Sequence, residues 1–139
     1  MTASLDESFD RHTWTFRDQP VTQICLDRSS CRLESWSLHA SLEIRLRSPF
    51  QLALPDGTSR EIDPQAPERV APMLTLVDRQ VLRMTVTRTG SLEIDLGDGS
   101  ILSAAVHHRD EAFEINGGGA LEGMRYVARP GGGVPWSVP

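Results

Sequence analysis

The densest group of ionisable side chains in the sequence is "HHRDE", residues 107–111. Histidines and carboxylates of this kind can bind a metal ion or transfer protons. On a strand, however, His107 and His108 would point to opposite faces, so the pair could not hold one ion. His12 and His39 are distant in the sequence. We therefore predict no metal site and interpret this segment as a polar surface loop between strands.

An alternative interpretation makes the same segment part of a ligand pocket. A small-molecule-binding or metal-binding protein, or an enzyme, would use this pocket near residues 107–111. Its candidate ligand-binding residues are His107, His108, Arg109, Asp110, Glu111 and Arg125. In this interpretation Arg109 or Arg125 binds an anionic group.

Other reactive residues occur without the spacing that would activate them. The sequence has no G-x-S-x-G motif, and it has no lysine for a Schiff base or a phosphate-binding loop. Two cysteines, Cys25 and Cys31, cannot supply the four ligands of a structural zinc site. We expect both thiols to be buried or inert, although a redox contact could form if the flanking segments pair. These observations predict no catalytic residue and no cofactor, and they favour a protein that is not an enzyme.

Two runs of three glycines raise the question of a phosphate site. A phosphate-binding loop places glycine between a strand and a helix, so that backbone N–H groups converge on the anion. Gly131, Gly132 and Gly133 lead instead into "VPWSVP", and residues 117–119 lead into "ALEGMRYVAR", as a loop feeding a strand. We interpret both runs as structural. The run at residues 131–133 allows a sharp turn, after which the indole of Trp136 can fold back onto the sheet.

Most of the chain alternates between apolar and polar residues, as in a strand with one face in water. The longest examples are residues 38–47, 81–88 and 91–96. Their predicted inward residues are Leu38, Leu42, Ile44 and Leu46, then Leu82, Met84 and Val86, then Leu92, Ile94 and Leu96. Because buried parallel strands form continuous apolar runs, this alternation predicts antiparallel sheet.

Asp-Gly pairs separate several of these strands. Gly57 in "LPDGTS" and Gly99 in "LGDGS" predict hairpins with type I′ turns, in which both central residues have positive φ. Gly90 predicts a third hairpin. The two Asp-Gly units align without gaps, which indicates either an internal duplication or two hairpins that look alike because they share a turn.

One helix is predicted among the strands, within residues 63–78. Val70, Met73, Leu74 and Val77 follow the spacing i, i+3, i+4, i+7. Pro72 would remove a hydrogen bond if the helix began well before it. We therefore expect one short helix after residue 64, kinked or beginning late, whose apolar stripe is buried on the sheet.

The length of 139 residues suits one domain, residues 1–139, with residues 1–12 as a flexible N-terminal segment. The fold class is predicted to be mainly β, or α+β. We expect about eight to ten mostly antiparallel strands in a curved sheet, a sandwich or a partly open barrel, with one short helix. Trp14, Phe16 and Trp36 lie in strand-like segments and are expected in the core.

The net charge of −5 disfavours binding to nucleic acid and to anionic membrane surfaces. No stretch approaches the roughly 20 apolar residues that cross a bilayer, and the first residues lack the features of a signal peptide. We therefore expect a cytoplasmic protein without nucleic-acid or membrane partners. A free sheet edge could pair with a second copy of the chain.

Several elements of the second half, taken together, resemble a known family. They are an Asp-Gly hairpin, the strand residues Glu111, Ala112 and Phe113, and the closing Pro130–Gly133 followed by Trp136. Over residues 20–136 the chain resembles a family of small uncharacterised bacterial proteins, mainly actinobacterial, defined as a domain of unknown function. Phe113 stands where tryptophan is common in that family. The resemblance implies a β-rich single domain and supplies no catalytic residues.

The leading functional hypothesis is a non-catalytic protein-interaction module in the bacterial cytoplasm. An immunity-type or regulatory partner of another protein would need a compact, acidic, sheet-built surface and no dedicated machinery for chemistry. The alternative remains the ligand pocket near residues 107–111.

Overall fold

A computed structural model describes residues 3–134 and the backbone of residues 136 and 137. These residues form thirteen strands and two short 3₁₀ helices. In chain order the strands are β1 (Ala3–Glu7), β2 (Arg11–Phe16), β3 (Val21–Leu26), β4 (Cys31–Trp36), β5 (Ala40–Leu46), β6 (Phe50–Ala53), β7 (Ser59–Ile62), β8 (Val81–Thr87), β9 (Leu92–Leu96), β10 (Ile101–Ala104), β11 (Phe113–Gly119), β12 (Arg125–Val127) and β13 (Trp136–Ser137).

The strands form two antiparallel sheets. The first has the order β1-β2-β8-β9-β10-β6-β7, and the second has the order β13-β12-β11-β5-β4-β3. Apolar side chains from both sheets form one buried cluster, so the sheets pack as a sandwich. The predicted mainly β, antiparallel fold is confirmed, and the sandwich is the one of the three expected architectures that forms. The strands outnumber the expected eight to ten partly because residues 3–7, in the segment expected to be flexible, pair with β2.

Period-two alternation correctly predicted most of the inward side chains. In β5 and β9 every predicted inward residue is buried. Two predictions were wrong. Leu38 lies in the turn between β4 and β5 and is 92% exposed. Leu82 is exposed because the register shifts between Val81 and Arg83, which puts Val81 in the core instead.

The three predicted hairpins are confirmed, but their turns are not type I′. At the first, the Leu54 N–H donates to the Thr58 carbonyl (2.8 Å) and the Gly57 N–H donates to the Leu54 carbonyl (3.0 Å). Gly57 has a φ of +91°, whereas Asp56 is not among the residues with positive φ. This is a type I turn followed by a left-handed glycine. The same bonds recur around Gly90 and Gly99.

The predicted short helix is confirmed, with 3₁₀ rather than α geometry. It comprises Pro67–Arg69 and Ala71–Leu76. The buried side chains are Val70, Met73 and Leu76, three residues apart, as the three-residue turn of a 3₁₀ helix requires. Leu74 and Val77, assigned to the apolar stripe on α-helical spacing, are exposed, and that assignment was wrong.

The segments that flank the two cysteines do pair, as strands β3 and β4. Cys25 lies opposite Arg32 on the outer face, whereas Cys31 is fully buried in the core. The two thiols therefore point to opposite faces of the sheet, and both are free. A redox contact between them within one molecule, left open by the sequence, does not form.

Within the described part of the chain, no helix combines the length and the apolar character needed to span a membrane.

Candidate functional site

The predicted cluster at residues 107–111 lies in the loop between β10 and β11. The Nδ1 atom of His107 accepts hydrogen bonds from the backbone N–H groups of Arg109 (3.2 Å) and Asp110 (3.1 Å). The rings of His107 and His108 are stacked, with centroids 4.8 Å apart. Because Nδ1 is occupied as an acceptor, His107 orders the loop rather than presenting that nitrogen to a ligand.

A shallow depression of about 390 Å³ lies beside this loop at one end of the sandwich. Its lining includes Ser29, Arg47, Gln65, Arg109, Asp110 and Glu111. Three of the predicted ligand-binding residues are therefore brought together there, whereas His107 and His108 are not among the lining residues. Arg125 lies apart from it, on the outer face of the second sheet.

Arg47, which the sequence did not single out, connects the depression to Arg125. Its Nη1 atom lies 3.7 Å from Glu111 Oε2 and 3.3 Å from Glu114 Oε1, and Arg125 Nη2 lies 3.4 Å from Glu114 Oε2. Burial opposes ionisation of Glu114. A hydrogen bond from Asn116 and the two arginine charges outweigh it and lower the pKa of Glu114. The alternation of apolar and polar residues places Arg47 on an outer face. It does not indicate the partner, Glu114, which lies 67 residues away on β11.

The described residues contain no group of three or more histidine, cysteine, aspartate or glutamate side chains that could hold a metal ion.

The N–H groups of the second glycine run donate to backbone carbonyls. Gly131 donates to His107 (2.8 Å), and Gly132 donates to Arg129 (3.0 Å). Gly133 makes a longer bond to Thr89 (3.4 Å). These groups are directed at the protein itself and do not converge on a site for an anion. The predicted packing of the Trp136 indole falls outside the described residues.

The first glycine run, expected in a loop, is the end of strand β11. A Cβ atom at Gly118 would collide with the Ser41 hydroxyl, and one at Gly119 would collide with the His39 carbonyl. Glycine is needed at both positions because β11 passes very close to the turn that precedes β5 and to the first residues of β5.

Three buried polar side chains join the two sheets inside the core. The Trp14 Nε1–H group donates to the Tyr126 hydroxyl (2.8 Å), and that hydroxyl lies 2.8 Å from His12 Nδ1. Burial raises the pKa of Tyr126 to about 12, although the bond from Trp14 opposes this shift. Because Tyr126 is fully buried, this cluster braces the sandwich and offers no accessible reactive group. No local pattern predicted this cluster, because Tyr126 is 112 residues from Trp14 and 114 residues from His12.

Trp14 and Phe16 are buried as predicted, but Trp36 is not: it is 59% exposed. It ends strand β4, where Leu33 and Ser35 point inward, so its indole projects from the outer face of the second sheet. Polar and charged side chains surround it on that face. We call this surface the Trp36 face, defined by Arg32, Glu34, Trp36, Glu43, Arg45, Glu114 and Arg125.

A second, smaller depression of about 190 Å³ lies against the indole. Its lining includes Glu34, Trp36, Ser41, Glu43, Asn116 and Gly117. It combines one aromatic wall with two carboxylates. Sequence reasoning missed it because only the pairing of β4, β5 and β11 brings these residues together.

Residues 12–137 match a family of unknown function, DUF6188. The chain belongs to this family. The predicted resemblance to a domain of unknown function is thereby confirmed, and the match begins before residue 20. No curated protein and no solved structure matches the chain. The region shared with DUF6188 contains both depressions, whereas β1 precedes it.

Proposed function

We propose that the protein is a non-catalytic protein-interaction module that binds another protein through the Trp36 face. In this proposal it is an immunity-type or regulatory partner that acts in the bacterial cytoplasm. All of its basic residues other than histidine are arginine, a composition typical of GC-rich genomes, which agrees with an actinobacterial origin.

The observation that carries the proposal is the exposed indole of Trp36. Tryptophan is enriched among the residues that dominate binding energies at protein interfaces. An aromatic side chain buries on the order of 150–250 Å² when it is covered, so leaving it in water forgoes a substantial hydrophobic gain. Leu38, in the turn that follows, is a second large apolar side chain that is almost wholly exposed.

The charges around the indole also suit a protein partner. Arg32 lies 3.4 Å from Glu34, and Arg45 lies 3.5 Å from Glu43. Arg125 and Arg47 flank Glu114 in the same manner. These pairs hold the side chains in place before a partner arrives, which lowers the entropy lost on binding. A pattern of alternating charges gives specificity more than affinity.

The proposal is tested by affinity capture from a lysate of the bacterium that encodes the protein. Wild-type protein, Trp36→Ala and Thr15→Ala are used as baits, because Thr15 is exposed on the outer face of the first sheet. We expect wild type and Thr15→Ala to retain the same protein and Trp36→Ala to lose it. Trp36→Ala should keep its free energy of unfolding within about 0.5 kcal/mol of wild type, because the site is on the surface. Equal retention by a folded Trp36→Ala would contradict the proposal.

A second candidate function is small-molecule binding in the depression beside residues 107–111. The observation that favours it is the presence of two guanidinium groups, from Arg47 and Arg109, in one concave site. A thermal-shift screen of anionic metabolites and metal ions tests it. A reproducible shift that Arg109→Ala abolishes would support it, whereas a shift that persists in Arg109→Ala, or no shift at all, would count against it.

A further inference from the structure

The depression beside Trp36 has the chemistry of a site for a cation. The exposed Trp36 lines it, and Glu34 and Glu43 line the same hollow. Aromatic faces attract cations through the ring quadrupole, and carboxylates attract them directly. Resting on the function proposed above, we propose that the partner protein inserts an arginine side chain here.

The register of the sheet places the two carboxylates together. Glu34 and Glu43 lie directly opposite each other on β4 and β5, and Asn116 lies opposite Glu43 on β11. Trp36 lies in the next row on the same face, because side chains two residues apart on a strand share a face. Like charges directly opposite each other are destabilising. Arg32 and Arg45 compensate this pair from one side of the row, and the side toward Trp36 is where a further positive group can approach.

Of the arginines on this face, Arg32 and Arg45 lie on the far side of the glutamates, away from Trp36. Arg125 lies opposite Asn116, and its Nη2 atom is 3.4 Å from Glu114 Oε2. Among the described residues, the hydrogen bonds from Arg32 and Cys25 both reach Glu34 Oε2, and the bond from Arg45 reaches Glu43 Oε1. One oxygen of each carboxylate therefore makes no hydrogen bond to the described residues and remains available to an incoming donor.

The geometry favours a guanidinium over other cations. A guanidinium is planar, stacks on an aromatic face and presents several N–H donors at once. The hollow of about 190 Å³ is small, so it suits one side chain rather than a folded segment. The net charge of −5 also favours the approach of a basic partner surface.

The test is an NMR titration of the full-length, ¹⁵N-labelled protein with N-acetyl-arginine amide. We expect saturable shifts of the Trp36 indole N–H and of the backbone amides of Glu34, Glu43 and Asn116. N-acetyl-citrulline amide, which has the same shape without the charge, should cause none. N-acetyl-lysine amide should bind more weakly than the arginine probe. Equal shifts with citrulline, or shifts elsewhere only, would overturn the proposal.

Two variants make the titration specific to the carboxylates. Glu43→Gln should weaken binding of the arginine probe about fivefold or more, because a charge-assisted hydrogen bond is lost. Glu93→Gln is the matched control, since Glu93 is exposed on the outer face of the first sheet. It should leave the titration unchanged. Binding that is insensitive to Glu43→Gln would refute the role of the carboxylates.

The captured partner separates this inference from the function on which it rests. If Trp36→Ala loses the partner but Glu34→Gln with Glu43→Gln retains it, the interaction module stands and the arginine site is wrong. If the arginine probe binds but Trp36→Ala retains the partner, the pocket stands and the proposed interaction surface is wrong.

Discussion

The side chains that join the two sheets are Trp14, Tyr126 and His12. The tyrosine hydroxyl accepts a hydrogen bond from the indole and forms a second hydrogen bond with His12 Nδ1. His12 Nε2 lies 3.7 Å from the partly exposed carboxylate of Glu7 on strand β1. A buried polar chain of this kind fixes how one sheet sits on the other.

Removing the hydroxyl at the centre of this chain should destabilise the fold. We expect Tyr126→Phe to lower the free energy of unfolding by about 1–3 kcal/mol, because buried polar groups lose a hydrogen-bond partner. Equilibrium unfolding in urea measures this. Thr15→Val, on an exposed position, is the control, and a Tyr126→Phe protein as stable as wild type would show that the hydroxyl does not brace the sheets.

The burial of His12 makes stability depend on pH. Burial and the charge of Arg88 lower its pKa, and the carboxylate of Glu7 only partly opposes them. The unfolded chain then takes up a proton near the ordinary pKa of 6.5, before the folded protein does. The contribution of His12 to stability is therefore fully present above that pH. It is lost as the pH falls through the pKa that His12 has in the folded protein.

Unfolding free energies at about pH 7.5 and about pH 5.5 test this dependence. We expect wild type to be less stable at the lower pH and His12→Gln to show a smaller difference. Asp27 and Glu114, whose pKa values are lowered from 3.8 and 4.5, titrate below this window and do not confound it. An identical pH dependence in His12→Gln would rule out His12 as its source.

Among the elements, the helical segment shows where sequence reasoning succeeded and where it failed. Its place between β7 and β8 and its burial on the sheet followed from composition and spacing. The assignment of Leu74 and Val77 to the buried stripe failed because the prolines favour a 3₁₀ turn of three residues. A turn of that length brings Leu76 inward instead.

Truncating neighbouring side chains tests this periodicity. Leu76→Ala should cost about 2–5 kcal/mol of stability, because Leu76 is fully buried. Val77→Ala, one residue further on, should cost about 0.5 kcal/mol or less. Urea unfolding of the two variants distinguishes the 3₁₀ arrangement from an α-helical one. An α-helix would bury Val77, so Val77→Ala would then lower the free energy of unfolding more than Leu76→Ala does.

Strands and hairpins were largely predictable, because alternation and turn glycines are local signals. The outward position of Leu82 was not, since a bulge forms only when β8 pairs with β9. The turn at Gly90 has the geometry of the two Asp-Gly turns without an aspartate beside it. The three hairpins therefore share one turn geometry, whether or not aspartate precedes the glycine.

At the scale of the whole molecule, the two sheets decide which residues meet. Three residues of the predicted 107–111 cluster line one depression, but the arginine that links it to Arg125 is Arg47, which no local pattern indicated. Trp36 was expected in the core because strand residues of its type usually are. Its exposure follows from its place at the end of β4, and only the pairing of β4, β5 and β11 shows its surroundings.

Hydrogen–deuterium exchange on the purified complex with the captured partner tests most directly whether the Trp36 face is the binding surface. We expect slower exchange on complex formation in the hairpin at residues 36–41 and in the outer strands around it. The outer face of the first sheet, around Thr85 and Glu93, should exchange as in the free protein. Protection confined to that first sheet, with residues 36–41 unchanged, would contradict the account.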